Sequence, residues 1–270
     1  MYYNYNESTL LHGIGFDLAK FDSISKHGLL SKKAADKLGV DMARVYSAYN
    51  GDDAISLVKY GYINRYDNNS AYNKFIKKGI SFIVEDVDYI YDVDKRVINS
   101  VDEVLVEDSI SIDKFNGILL PEEYAYASLE DLPMFNMKSN HYKNINDTCN
   151  NLIKFISSLG YSLSNEEKTL YKSLSYSLLS SLEVTKKDKE LSSLEKELIR
   201  EDKLALAEFM SSLVHKAFCK ELDSDFVTLY DAVEYLNSNN LNLDIYVGGV
   251  LKNKRKRWLY AWWKVSFVTN

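Results

Sequence analysis

Proline is scarce in this chain, with 2 among 270 residues, and so is cysteine, also with 2. So little proline excludes long extended linkers. Cys149 and Cys219 have neither metal-finger nor redox spacing, which excludes a disulfide framework and points to a reducing compartment. A basic excess is missing as well. The net charge of -6 argues against nonspecific nucleic-acid binding by the whole chain, although it leaves a local basic patch open. No apolar run approaches the roughly 18 residues a membrane span needs. The opening MYYNYNESTL lacks the basic start and apolar core of a signal peptide. A soluble protein of the cytoplasm is therefore expected; delivery into a host or target cell without cleavage would leave no trace here.

Hydrophobic residues make up 46% and charged residues 27%, ordinary values for a globular protein, while tyrosine is abundant at 21. The length allows one large domain or two ordinary ones. Near residue 135 the pattern changes. Before it, strands are expected at Thr9 to His12, Arg44 to Tyr46, Gly79 to Glu85, Glu103 to Val106 and Gly117 to Leu120. Asp17 to His27 places Leu18, Phe21, Ile24 and Ser25 on one helical face and ends at Gly28, and Asp52 to Tyr60 also reads as helical, capped by Asp52 or Asp53. Beyond residue 135 the pattern is helical over Asn146 to Leu159, Asn165 to Leu182, Lys189 to Phe218 and Val227 to Asn237. The expected organisation is α+β: residues 1–135 as a mixed domain, and residues 136–270 as a mainly helical accessory or target-recognition domain.

Three places in the first region could carry chemistry, and each has a plain structural alternative. His12-Gly13 ends an apolar strand; alone, it reads as a histidine satisfied by a backbone carbonyl beside a turn. Ala43 to Val58, ARVYSAYNGDDAISLV, reads as a strand ending in Tyr46, a polar turn and a helix. In Val101 to Pro121, Glu103 opens an apolar strand, and a second strand follows Ser-rich turn residues. Alternation pairs Glu103 with Leu105 on one face and Val104 with Val106 on the other, and leaves the choice between Asp102 and Glu103 open.

In order and spacing these units resemble the ADP-ribosyltransferase superfamily, in its His-Tyr-Glu branch of diphtheria-type toxins and poly(ADP-ribose) polymerases. LLHGIGFDLAKFDSISKHGLL resembles that branch's strand ending in His-Gly, followed by an amphipathic helix and a glycine-leucine pair. RVYSAYNGDDAISL resembles its tyrosine strand with the helix that follows, and DEVLVEDSISIDKFNGILLP its glutamate strand and loop. The resemblance spans about residues 8 to 121 and implies a split β-sheet that grips NAD as co-substrate, with no metal. It implies that His12 bonds the nicotinamide ribose, that the Gly13 backbone meets the carboxamide, and that Tyr46 stacks on the nicotinamide ring. Glu103 would hold the ribose 2′-hydroxyl and stabilise an oxocarbenium-like centre. The implied activity is transfer of a single ADP-ribose to a protein or nucleic-acid target, as in a toxin or effector.

Departures from that pattern are present. Ile14 stands where the branch often has Ser or Thr, and Ala54 and Leu57 where polymerase-like members have Ser and a second Tyr. Tyr49 is the candidate for that second stacking ring. No Glu-x-Glu pair is present, so the likeness to the Arg-Ser-Glu toxin branch is poor. An RNA 2′-phosphotransferase-like enzyme would need further basic residues, of which Arg44 and Arg65 lie near; a non-catalytic binding protein on the same fold is a third reading. His27, His141 and His215 lack metal spacing and read as structural. Lys252 to Lys264 joins a basic run to Trp258, Tyr260, Trp262 and Trp263, which suits nucleic-acid contact, a membrane interface or a solvated turn. LDIYVGGV reads as a strand with a glycine turn, pairing with WLYAWWKVSFV as a hairpin.

Overall fold

The computed structural model describes residues 2–4, 8–40, 53–60, 76–89, 103–132, 142–185 and 192–251. Its architecture is α+β. Strand β1 (Leu10–Gly15) runs into helix α1 (Leu18–His27), then β2 (Leu29–Leu30) and α2 (Lys32–Leu38). Strands β3 (Ala54–Lys59), β4 (Ile80–Val84), β5 (Glu103–Glu107), β6 (Ser109–Ile110) and β7 (Phe115–Leu120) follow. Helices α3 (Tyr142–Ser158), α4 (Asn165–Thr185), α5 (Ser193–Leu222) and α6 (Leu229–Asn240) precede a terminal hairpin of β8 (Ile245–Val247) and β9 (Val250–Leu251). Among the described residues seven strands form one sheet in the order β5-β3-β1-β4-β7-β8-β9, and β2 pairs with β6 in a separate two-stranded ribbon. All pairings are antiparallel except β7 with β8.

The expected helix over Asp52 to Tyr60 is a correction: Ala54–Lys59 is strand β3, lodged between β1 and β5. Ile55 and Leu57 enter the main core, while Val58 packs on the opposite face. A segment apolar on both sides is what an inner strand requires. Ala54 and Leu57 therefore lie on a strand, not on a helix after the tyrosine.

Helix α1 forms as its sequence directs. Asp17 caps it by accepting from the Lys20 N–H at 2.9 Å, and Leu18, Phe21 and Ile24 are buried. Phe21 stacks on Phe82 of β4 at 5.0 Å between centroids, and Phe82 meets Phe115 of β7 at the same separation. Gly28 ends the helix at φ 77°, its Cα against the Ile110 carbonyl, so neither the angle nor the space suits a side chain.

The chain beyond residue 135 returns to this sheet. The Thr228–Asp231 capping box starts α6, and the Leu229 and Tyr230 amides bond back to Ala127 and Ala125. Asn240 reaches Ser25 of α1 at 2.8 Å. Buried Asn237 holds the Leu243 amide and carbonyl, turning the chain so that β8 runs parallel to β7. Gly248 and Gly249, both at positive φ, make the turn into β9. The glycine turn expected in LDIYVGGV is thus present and leads into β9; WLYAWWKVSFV, its expected hairpin partner, lies outside the described residues.

Candidate functional site

Three adjacent strands carry the polar groups that matter: His12 on β1, Ser56 on β3 and Glu103 on β5. Glu103 is the first residue of β5 and only 6% exposed. Its Oε1 accepts a short hydrogen bond from the Ser56 hydroxyl. His12 Nδ1 lies 3.0 Å from the Ser56 carbonyl. One serine therefore touches both residues singled out from the sequence, through its side chain on one side and its main chain on the other.

The register explains how this comes about. Glu103 lies across from Val58, and Val58 across from Leu11, so Glu103 and Ser56 share the face of Leu11 and Val58. His12 lies across from Phe82 and belongs by alternation to the opposite face. The β1–β3 register consists of Leu10↔Lys59 and Leu11↔Val58. Beyond that point the strands part and β1 bulges between Gly13 and Gly15. The His12 ring closes the gap by taking the Ser56 carbonyl, a position where a ladder amide would otherwise sit. Because the Thr9 carbonyl accepts from Tyr60, alternation turns the backbone groups of Leu11 and Gly13 to the β3 side. Gly13 thus faces β3 just past the end of the ladder.

This geometry fixes the histidine's chemistry. A carbonyl can only accept, so Nδ1 carries the proton and Nε2 presents its lone pair. Burial, with the positive charge of Lys20 as a lesser contribution, pulls the ring from its ordinary 6.5 down to about 4. At neutral pH it is a neutral imidazole, suited to accept from a hydroxyl through Nε2. Burial also lowers Lys20 from its ordinary range. The Ser56 hydroxyl orients the carboxylate next door.

Tyr46, Tyr49, Asp102, Arg44, Arg65 and the span from Lys252 to Lys264 lie outside the described residues. Sequence reasoning missed Ser56 because the segment read as a helix. The signal was the alternation in AISLVK, where Ser56 falls on a face with Val58 and away from Ile55 and Leu57.

The other histidines stand apart from this row. His27 sits in the last turn of α1, where a cationic side chain suits the helix dipole. His215 Nε2 lies 3.2 Å from Cys219 Sγ, and burial, followed by the charges of Asp225 and Glu130, raises the thiol above its ordinary range. Such a thiol is a poor nucleophile. Among the described residues no group of three or more His, Cys, Asp or Glu is arranged to hold a metal ion, and no helix is long and apolar enough to cross a membrane. Comparison with protein-family models, curated proteins and solved structures returns no match.

Proposed function

We propose that this chain is an NAD-consuming enzyme of the mono-ADP-ribosyltransferase type, working at the opening between β1 and β3. The observation that carries the proposal is that Ser56 contacts His12 through its carbonyl and Glu103 through its hydroxyl, at the place where the β1–β3 ladder ends. In this reading the Nε2 of neutral His12 accepts from a hydroxyl of the nicotinamide ribose. The Gly13 backbone, past the end of the ladder, bonds the carboxamide, and Tyr46 supplies the stacking ring, with Tyr49 as a second. The C–N bond to nicotinamide breaks with its electron pair going to the ring nitrogen, which neutralises the pyridinium. Positive charge then grows on the ribose, where the carboxylate of Glu103, held by Ser56, stabilises it. An acceptor nucleophile on a protein or nucleic acid forms the new bond to the ribose carbon and gives up its proton. The fold beneath this reading is the ADP-ribosyltransferase type, and the ADP-ribosylated target is macromolecular, as for a toxin or effector acting in a cytoplasm.

Lys20 favours a second reading. A desolvated ammonium whose charge reaches His12 suits a phosphate, as an RNA 2′-phosphotransferase-like enzyme requires. Nicotinamide release from NAD by the full chain, with and without a 2′-phosphorylated RNA, separates the two. Glu103→Gln should lower release by about two to three decades while NAD binding changes little. No nicotinamide release in buffer or in lysate would end the transferase reading, and equal rates for wild type and Glu103→Gln would remove Glu103 from the chemistry. Labelled adenine NAD added to lysate then reports whether label lands on protein, nucleic acid or free ADP-ribose.

A further inference from the structure

The sheet face that carries Glu103 and Ser56 holds a second feature, reaching from the end of β3 to β7 and the β8–β9 turn. A cavity of about 620 Å³ lies among Tyr3, Tyr60, Leu119, Glu122, Glu123 and the turn at Gly248 and Gly249. Tyr2, Ile76, Lys77, Leu120 and Pro121 complete its lining. Its Tyr3 side is held by several contacts. The Tyr3 amide bonds the Gly249 carbonyl at 2.9 Å, and the Tyr3 ring meets Tyr246 edge-on at 5.0 Å. The Tyr3 hydroxyl donates to Glu85 at 2.7 Å, and Thr9 and Asn116 donate to the same carboxylate. Burial and then the Glu85 bond hold this phenol above its ordinary pKa, so it stays a neutral ring. Glu122 lies against Gly248, its Cβ and Oε2 each 3.2 Å from where a side chain there would begin.

We infer that this cavity binds a cationic peptide segment, an arginine or lysine side chain entering between the tyrosine rings beneath Glu122 and Glu123. The phenol rings of Tyr2, Tyr3 and Tyr60 line the cavity, and aromatic rings attract cations. Among the described residues, two exposed carboxylates at the rim outnumber the lining ammonium of Lys77, so the charge of this lining complements a cation and opposes an anion. The aliphatic side chains of Ile76 and Leu119, which pack together on this face, suit the methylene stem that such side chains carry. The chain's net charge of -6 adds long-range attraction for a basic partner. None of this depends on the chemistry assigned to Glu103, although a segment seated here would lie on the same sheet face.

The probe is a fluorescently labelled six-residue peptide alternating arginine and serine, with a glutamate-serine peptide of equal length as its counterpart. Anisotropy titrations of the full chain should show binding of the first and none of the second. Glu122→Gln with Glu123→Gln should weaken binding by about tenfold, and Tyr60→Ala by about fivefold. Glu201→Gln with Glu208→Gln changes net charge equally on α5, where both residues are exposed, and should leave binding within about twofold. Lys77→Gln should tighten the arginine peptide. Equal affinity for the two peptides, equal losses in the two double variants, or weakening by Lys77→Gln would each overturn the inference. Far-ultraviolet circular dichroism checks that every variant is folded, and the Lys77 arm reads a gain that misfolding would not produce.

Discussion

Removing one hydroxyl, by Ser56→Ala, tests the link on which the candidate site rests. The Ser56 hydroxyl donates to a Glu103 carboxylate that is 6% exposed. A hydrogen bond to a buried charged acceptor is worth about 1.5 to 3 kcal/mol. Glu103 keeps a further interaction in the variant, so the loss should be about 2 kcal/mol. In a cooperative thermal transition of a chain this size that lowers the midpoint by about 5 °C. The main-chain carbonyl of residue 56 survives the substitution, so the His12 bond survives too. The titration of His12, followed by NMR, should therefore stay where it is while the midpoint falls. Ser56→Thr restores a hydroxyl on a β-branched residue that suits a strand and should recover most of the loss. An unchanged midpoint in Ser56→Ala would show that the hydroxyl does no work on the carboxylate. A shift of His12 alongside it would show that the two contacts cannot be separated as drawn.

His12 should make stability depend on pH in one direction. Its pKa falls from 6.5 to about 4 in the folded chain, so between these values the unfolded chain binds a proton that the native chain refuses. Stability should fall as pH drops from 6.5 toward 4, by at most about 3 kcal/mol, with no effect above 6.5. His12→Asn can still donate to the Ser56 carbonyl and does not titrate, so denaturant unfolding at pH 7 and pH 4.5 should show a smaller difference than in wild type; an equal difference would place the titration elsewhere. Gly28→Ala puts a methyl group against the Ile110 carbonyl at φ 77° and should destabilise by at least about 2 kcal/mol in the same assay. A neutral result there would mean that the α1–β6 contact is loose.

Legibility followed the range of each interaction. Helix α1 was readable because cap, apolar face and terminating glycine all lie within Asp17 to Gly28. Strands β4 and β7 and the long helices were readable for the same reason. Strand β3 was misread because two aspartates before an apolar segment look like a helix cap, while its alternation covers only six residues. The ribbon of Leu29–Leu30 with Ser109–Ile110 is too short for any local pattern. The parallel placement of β8 beside β7 depends on α6 docking on α1 through Asn240 and Ser25, partners about two hundred residues apart that carry no local signature. At the candidate site the sequence marked His12 and Glu103 through their positions at the ends of apolar strands. It could not mark Ser56, whose importance exists only once three strands stand side by side.

That hidden serine sharpens the functional argument. Strand β5 buries Val104, Leu105 and Val106, and β3 buries Ile55, Leu57 and Val58. Leucine or valine at positions 56 and 103 would extend the same packing, each stabilising by about 1.5 to 3 kcal/mol of transfer free energy. A buried carboxylate instead incurs a desolvation cost, which the Ser56 hydroxyl and the further interaction of Glu103 offset in part. Packing therefore does not account for the pair, and neither does the ladder, since main-chain bonds are indifferent to which side chains they carry. A sheet that accepts this cost where the β1–β3 ladder ends is what the proposed NAD-consuming site would require. Glu103→Leu with Ser56→Val puts this to the test: the double variant should unfold at a higher temperature than wild type and release no nicotinamide. A double variant less stable than wild type would return the pair to a structural role.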